Sequence, residues 1–206
     1  MRADAWCLTL PMKPDMTISR TDPFMAGKSL AEEVAALNPP VALAVNWCFF
    51  GSNNHIQRPQ QLVVEAYVRR NAATNRHVKV IVRPECCIRN VNPHAWLYKG
   101  LGAATDEKMR KVYGAFNDGA QPQRLVMHHY YCKSQEDYLL KCDPSWAADV
   151  AGQKFRTHRH ELIAKAMAEN NDIVDESALK CVPQTREMLL KYGFYWTGTK
   201  LLEGNQ

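Results

Sequence analysis

The chain has 206 residues, 46% hydrophobic and 23% charged, with a net charge of +5. That length suits one domain with a sizeable core, and the apolar-to-charged balance excludes a disordered or fibrous chain. The basic residues are dispersed (Arg69, Arg70, Lys108, Arg110, Lys111, Arg156, Arg159), which argues against a nucleic-acid-binding module. Such modules gather their charge on one element. The mild excess suits a phosphorylated small molecule or a peripheral contact with an anionic membrane face equally well.

Seven cysteines, an odd number with no C-x-x-C pair, read as reduced thiols of a cytoplasmic protein. Cys132 and Cys142 with a nearby histidine match no standard zinc spacing. The opening Met1-Arg2-Ala3-Asp4 lacks the form of a signal peptide. No apolar run reaches the ~18–20 residues of a membrane span.

In chain order, Trp6 to Leu10 reads as a strand stopped by Pro11. Ser29 to Leu37 is a helix, with Ser29 at the N-cap, Glu32 three residues on and Asn38-Pro39-Pro40 ending it. Val41 to Phe50 is an apolar, β-branched and aromatic strand that ends at Gly51. The turn Gly51-Ser52-Asn53-Asn54-His55 is flexible and rich in donors, suited to holding amides and a histidine at the mouth of a pocket. Leu62 to Val68 mixes both periods, and its β-branched content favours a strand. His77 to Val82 is a strand ended by Pro84, and Ile88 to Val91 a short extended piece before Asn92-Pro93-His94. Residues 100–119 form a long polar connection with one helical turn around Lys108. Arg124 to Tyr131 is the last strand. Helices then follow: one capped by Ser134 with acids in its first turn, one over His158 to Glu169 and one over Thr185 to Lys191. Strands first and helices last point to an α/β or α+β layered domain, sheet-rich over 1–133 and helical over 134–206.

Several residues could carry chemistry. His128 and His129 are adjacent on a strand, so their side chains take opposite faces. Lys133 follows them and could favour an anion. His55 lies in the glycine turn. Arg58 could bind a phosphate or pair with a carboxylate to fix that turn, and Glu65 either faces solvent or serves as a base. No G-x-G-x-x-G, P-loop, G-x-S-x-G or H-E-x-x-H occurs.

Taken together, the segments V-N-W-C-F-F-G-S-N-N-H, V-V-E-A-Y-V-R-R, V-K-V-I-V-R-P, V-N-P-H and H-H-Y-Y-C-K-S-Q-E-D-Y stand in an order that resembles the later half of certain glycosyltransferases. These are GT-A-fold enzymes of the family 2-like and family 92-like groups, and the resemblance runs from about Trp6 to Tyr192. It implies an α/β, mixed-sheet GT-A-like domain with a helical C-terminus, lacking most of the N-terminal nucleotide-binding βα units. The implied activity is sugar transfer, of hexosyltransferase type, from a nucleotide-sugar donor to a carbohydrate acceptor. A divalent metal, Mn²⁺ or Mg²⁺, would be the cofactor. By the same resemblance His129 is the metal ligand, and Lys133 contacts the diphosphate. Gly51, Ser52, His55 and Arg58 would border the substrate, and Glu65 is the candidate base.

Two departures stand beside these matches. Pro11-Met12-Lys13-Pro14 occupies the place of the family's paired aspartates, leaving one histidine for a hard cation that takes about six oxygen-rich ligands. The chain also begins near the strand before that motif, as a fragment of a longer enzyme would. The rival expectation is therefore a non-catalytic fragment or pseudo-glycosyltransferase that binds a carbohydrate or a partner.

Overall fold

The computed structural model describes residues 7–8, 16–20, 30–141, 159–192, 194–196 and 201–203. Its elements begin with β1 (Cys7–Leu8), β2 (Met16–Arg20), α1 (Leu30–Leu37), β3 (Ala42–Phe50), α2 (Val63–Ala66), β4 (Arg69–Arg70) and β5 (Asn75–Val82). The hairpin β6 (Cys87–Asn92) and β7 (Ala95–Tyr98) follows, then β8 (Ala104–Thr105), β9 (Lys111–Val112) and β10 (Leu125–Tyr130). The chain continues through α3 (Gln135–Lys141), α4 (Arg159–Ala168), β11 (Ile173–Val174), α5 (Val182–Lys191), β12 (Phe194–Trp196) and β13 (Leu201–Glu203). The class is α/β with a mixed sheet. β3 runs parallel to β8, whereas β5 pairs antiparallel with both β1 and β3.

Two compact units divide the chain, and each draws on separated segments. The first takes residues 1–48 and 73–129, the second 49–72 and 130–206.

In the first unit the strand order is β1-β5-β3-β10-β2. Alternation along β5 sends Val78, Val80 and Val82 to one face, where they pack with Ala42, Ala44, Tyr98, Ala104 and Val112. The opposite face of β5 therefore carries His77, Lys79 and Ile81. Between Asn46 and Trp47 the β3–β5 register slips, so that Asn46 faces Val78 but Trp47 faces Asn75. Such a bulge bends the strand and re-aims the next side chain. Asn46 holds it: its amide nitrogen donates to Asn75 O at 3.0 Å and its Oδ1 accepts from Asn117 Nδ2 at 3.0 Å.

The connection over 100–119 is not helical around Lys108. It holds β8 and β9, joined by a turn in which Met109 has φ +61°. Asp106 explains the difference, because its carboxylate accepts from the amides of Lys108 and Arg110, both at 3.0 Å, and from Arg110 Nε at 2.8 Å. A side chain that takes local amides offers the backbone an alternative to helix. Burial pushes the Asp106 carboxyl up, but the Arg110 and Lys108 hydrogen bonds outweigh it and hold the group below the usual carboxylate range.

In the second unit β4 lies between the end of β3, with Phe50 opposite Arg70, and β11. The strand expected over Leu62 to Val68 is instead the single turn α2 followed by β4. Glu65 reaches back to the Leu62 amide at 3.1 Å, and Ala66 N donates to Leu62 O at 3.0 Å. Local closure thus satisfies the backbone and overrides the β-branched preference. Helices α3 and α4 bury Cys132, Tyr138 and Ala166 with Leu139, Leu162, Ile163 and Met167. As expected, Ser134 caps α3, its Oγ accepting from Asp137 N at 3.0 Å. β10 is not the last strand, since β11 pairs with β4 and β12 with β13. Ser29, Trp6 and Pro11 to Pro14 lie outside the described residues.

Candidate functional site

In the first unit, four stretches distant in sequence meet around one indole. Trp47 stacks on His77 (centroids 5.3 Å, 29° between planes), meets His94 edge-on at 5.3 Å and lies 4.7 Å from His129. His77 and His94 are themselves 5.4 Å apart. The bulge after Asn46 aims Trp47 at His77, and the tight β6–β7 turn carries His94. Lys79, buried two residues after His77, donates to the Pro93 carbonyl at 2.6 Å and fastens that turn to β5.

The hydrogen bonds set the imidazole tautomers. His94 Nδ1 lies 2.9 Å from the Val78 carbonyl, which can only accept, so Nδ1 carries the proton and Nε2 keeps its lone pair. His77 Nδ1 sits 2.8 Å from Asn75 Oδ1 and has the same arrangement. Burial lowers the pKa of both rings. Arg76 and His129 lower that of His77 further; Lys79, His77 and His129 lower that of His94, against the Val78 bond. At neutral pH both are neutral imidazoles able to accept a hydrogen bond from a hydroxyl.

His128 and His129 take opposite faces, as adjacent strand residues must, yet both are buried. The face of β10 turned from Trp47 is therefore covered too.

The Gly51–His55 turn, in the second unit, spends its donors on the fold. Gly51 N donates to Arg69 O, Asn53 N to Asn171 Oδ1, and His55 N to Ser52 O. Ser52 Oγ donates to Met167 O at 2.9 Å and accepts from Asn54 N. His55 Nε2 donates to Ala66 O at 3.1 Å. Gly51 is a glycine because the chain at 170–171 presses on it: a Cβ there would stand 2.5 Å from Asn170 O.

Arg58 takes the carboxylate-pairing option, with Nε 2.6 Å from Asp137 Oδ1 and its amide donating to Glu136 Oε2 at 2.8 Å. Glu65 accepts from Arg186 at 2.9 and 3.2 Å as well as from the Leu62 amide. Lys133, with φ +55°, turns the chain from β10 into α3. Gly51, Ser52, His55, Arg58, Glu65 and Lys133 thus belong to one unit and His129 to the other. Sequence reasoning missed the company His129 keeps, Trp47 with His77 and His94, and the parts Asn46 and Lys79 play in holding the bulge and the turn that supply them. A readable sign was Lys79, a charged residue inside the otherwise apolar strand V-K-V-I-V.

A hard divalent cation does not fit the imidazole cluster. Among the described residues no group of three or more His, Cys, Asp or Glu side chains could hold a metal ion. The charges acting on His77 and His94 come from Arg76, Lys79 and other imidazoles, not from carboxylates. Mn²⁺ or Mg²⁺ would need oxygen ligands that this cluster lacks.

No helix among the described residues is long and apolar enough to cross a membrane. No known protein family, curated protein or solved structure matches the chain.

Proposed function

We propose that this chain is a glycosyltransferase-like protein that binds a nucleotide-sugar donor and a carbohydrate acceptor through a GT-A-like domain. One observation carries the reading. Trp47, His94 and His129 come from three of the segments whose order resembles those enzymes, and His94 and His129 gather with His77, the residue just before a fourth segment, around the Trp47 ring.

The chemistry of the cluster fits a hydroxyl-bearing ligand. Neutral His77 and His94, with Nδ1–H already engaged, offer Nε2 lone pairs to ribose or sugar hydroxyls. A histidine kept neutral is also a candidate base for a hydroxyl proton, if it comes within about 2.6–3.2 Å of that oxygen.

The second reading, a non-catalytic carbohydrate-binding relative, is favoured by Glu65, which is held by both Arg186 and the Leu62 amide. Calorimetric titration of the full chain with UDP and UDP-glucose, with EDTA present, tests the proposal. We expect binding that His129→Ala weakens about tenfold or more. Absence of binding to either nucleotide overturns the donor-binding reading. Turnover of UDP-glucose in the same preparation would exclude the non-catalytic one.

A further inference from the structure

The loop after His55 and helix α3 enclose an open groove of about 610 Å³ within the second unit. We propose that it is a binding site for a neutral saccharide, the acceptor side of the function proposed above, on which this inference rests.

The groove is built rigidly. Gln135 N donates to His55 O at 2.9 Å and Glu136 N to Ile56 O at 3.0 Å, while Arg58 N donates to Glu136 Oε2. These bonds fix the loop on α3 before any ligand arrives, which lowers the ordering cost of binding. Three amide side chains face the same space: Gln57, Gln60 and Gln135. None makes a side-chain hydrogen bond to another described residue. An amide offers two donors and an acceptor, the complement of a hydroxyl, which both donates and accepts.

Charge argues for a neutral occupant. The Arg58 guanidinium is already paired with Asp137 at 2.6 Å, and Glu136 adds a negative charge at the rim. A phosphate would meet no uncommitted cation among the lining residues. A purely apolar ligand would bury the three amides unsatisfied, which is costly. Ile56, 62% exposed, lies with Pro59 and Leu139 among the amides and gives a C–H face of a sugar ring somewhere to pack. The volume falls in the range of about 300–1,000 Å³ usual for small-molecule sites.

Two-dimensional ¹H–¹⁵N spectra of the full chain, titrated separately with maltose, lactose and chitobiose, test the inference. Saturable shifts of the Gln57, Gln60 and Gln135 side-chain amides with at least one sugar are expected. The Gln60→Ala/Gln135→Ala variant should bind that sugar about tenfold more weakly or worse, with its thermal midpoint unchanged. Silence toward all three sugars, or undiminished binding by the variant, overturns the inference. The Trp47 indole resonance separates this outcome from the donor reading. A response of Trp47 to UDP with silent glutamines sinks the groove alone, and glutamine shifts with a silent Trp47 support the groove while sinking the donor site.

Discussion

Gly51→Ala tests whether the glycine serves close packing. The added Cβ would lie 2.5 Å from Asn170 O and 2.7 Å from Asn171 Cγ, where carbon contacts are comfortable only at about 3.5–4.0 Å. The turn must therefore back away by roughly 1 Å. Asn171 cannot yield without loss, because its Oδ1 accepts from Asn53 N at 2.9 Å and its Nδ2 donates to Met167 O at 2.9 Å and Glu169 O at 3.1 Å. Overpacking costs about 1–3 kcal/mol, and each hydrogen bond displaced adds about 0.5–1.5 kcal/mol. We expect a loss of about 2–4 kcal/mol, read as a lower urea midpoint at unchanged slope. Asn171→Ala removes two of the clashing atoms, so the double variant should lose less than the sum of the singles, with a coupling above about 0.5 kcal/mol. A Gly51→Ala protein within about 0.5 kcal/mol of the parent, or strictly additive variants, would refute the close-approach argument.

Arg124→Leu should cost about 3–5 kcal/mol, because Glu33 is fully buried and its carboxylate would lose the guanidinium 2.5 Å away. Glu33→Gln added to Arg124→Leu should recover part of that loss in urea unfolding, and an Arg124→Leu cost below about 1 kcal/mol would contradict it. The pH dependence has a definite sign. His77 and His94 titrate below their ordinary 6.5 when folded, so the unfolded chain takes protons first. Their stabilisation is complete above about pH 6.5 and is lost as pH falls through the folded values. The thermal midpoint should drop between about pH 7 and pH 5, and less so in a His77→Gln/His94→Gln variant. An equal drop in both proteins would remove these two rings as its cause.

The legible parts of the fold were those governed by local periodicity and capping. The run from Val41 to Phe50 is apolar because β3 is buried almost throughout, and His77 to Val82 alternates because β5 divides its side chains between two faces. Ser134 capped its helix as its chemistry requires. The errors came where a side chain supplied what a ladder or helix otherwise would. Glu65 closed α2 on itself, and Asp106 gathered the amides of a turn that reads as polar connection. Neither carboxylate announces its partner in a linear pattern.

The Gly51–His55 turn marks the boundary between what the sequence determined and what tertiary structure decided. The sequence placed a glycine turn at the end of a buried strand, because β propensity and glycine punctuation act over neighbouring residues. Tertiary structure determined what that turn is for. Asn171, more than a hundred residues away, took its Asn53 amide and pressed on Gly51, so donors that looked available were spent on packing. In the same way the sequence could assign His128 and His129 to opposite faces but could not seat His129 against Trp47 beside His77 and His94. That company depends on a two-position slip in strand register and on a hairpin fastened by Lys79, both products of pairings between segments far apart in the chain.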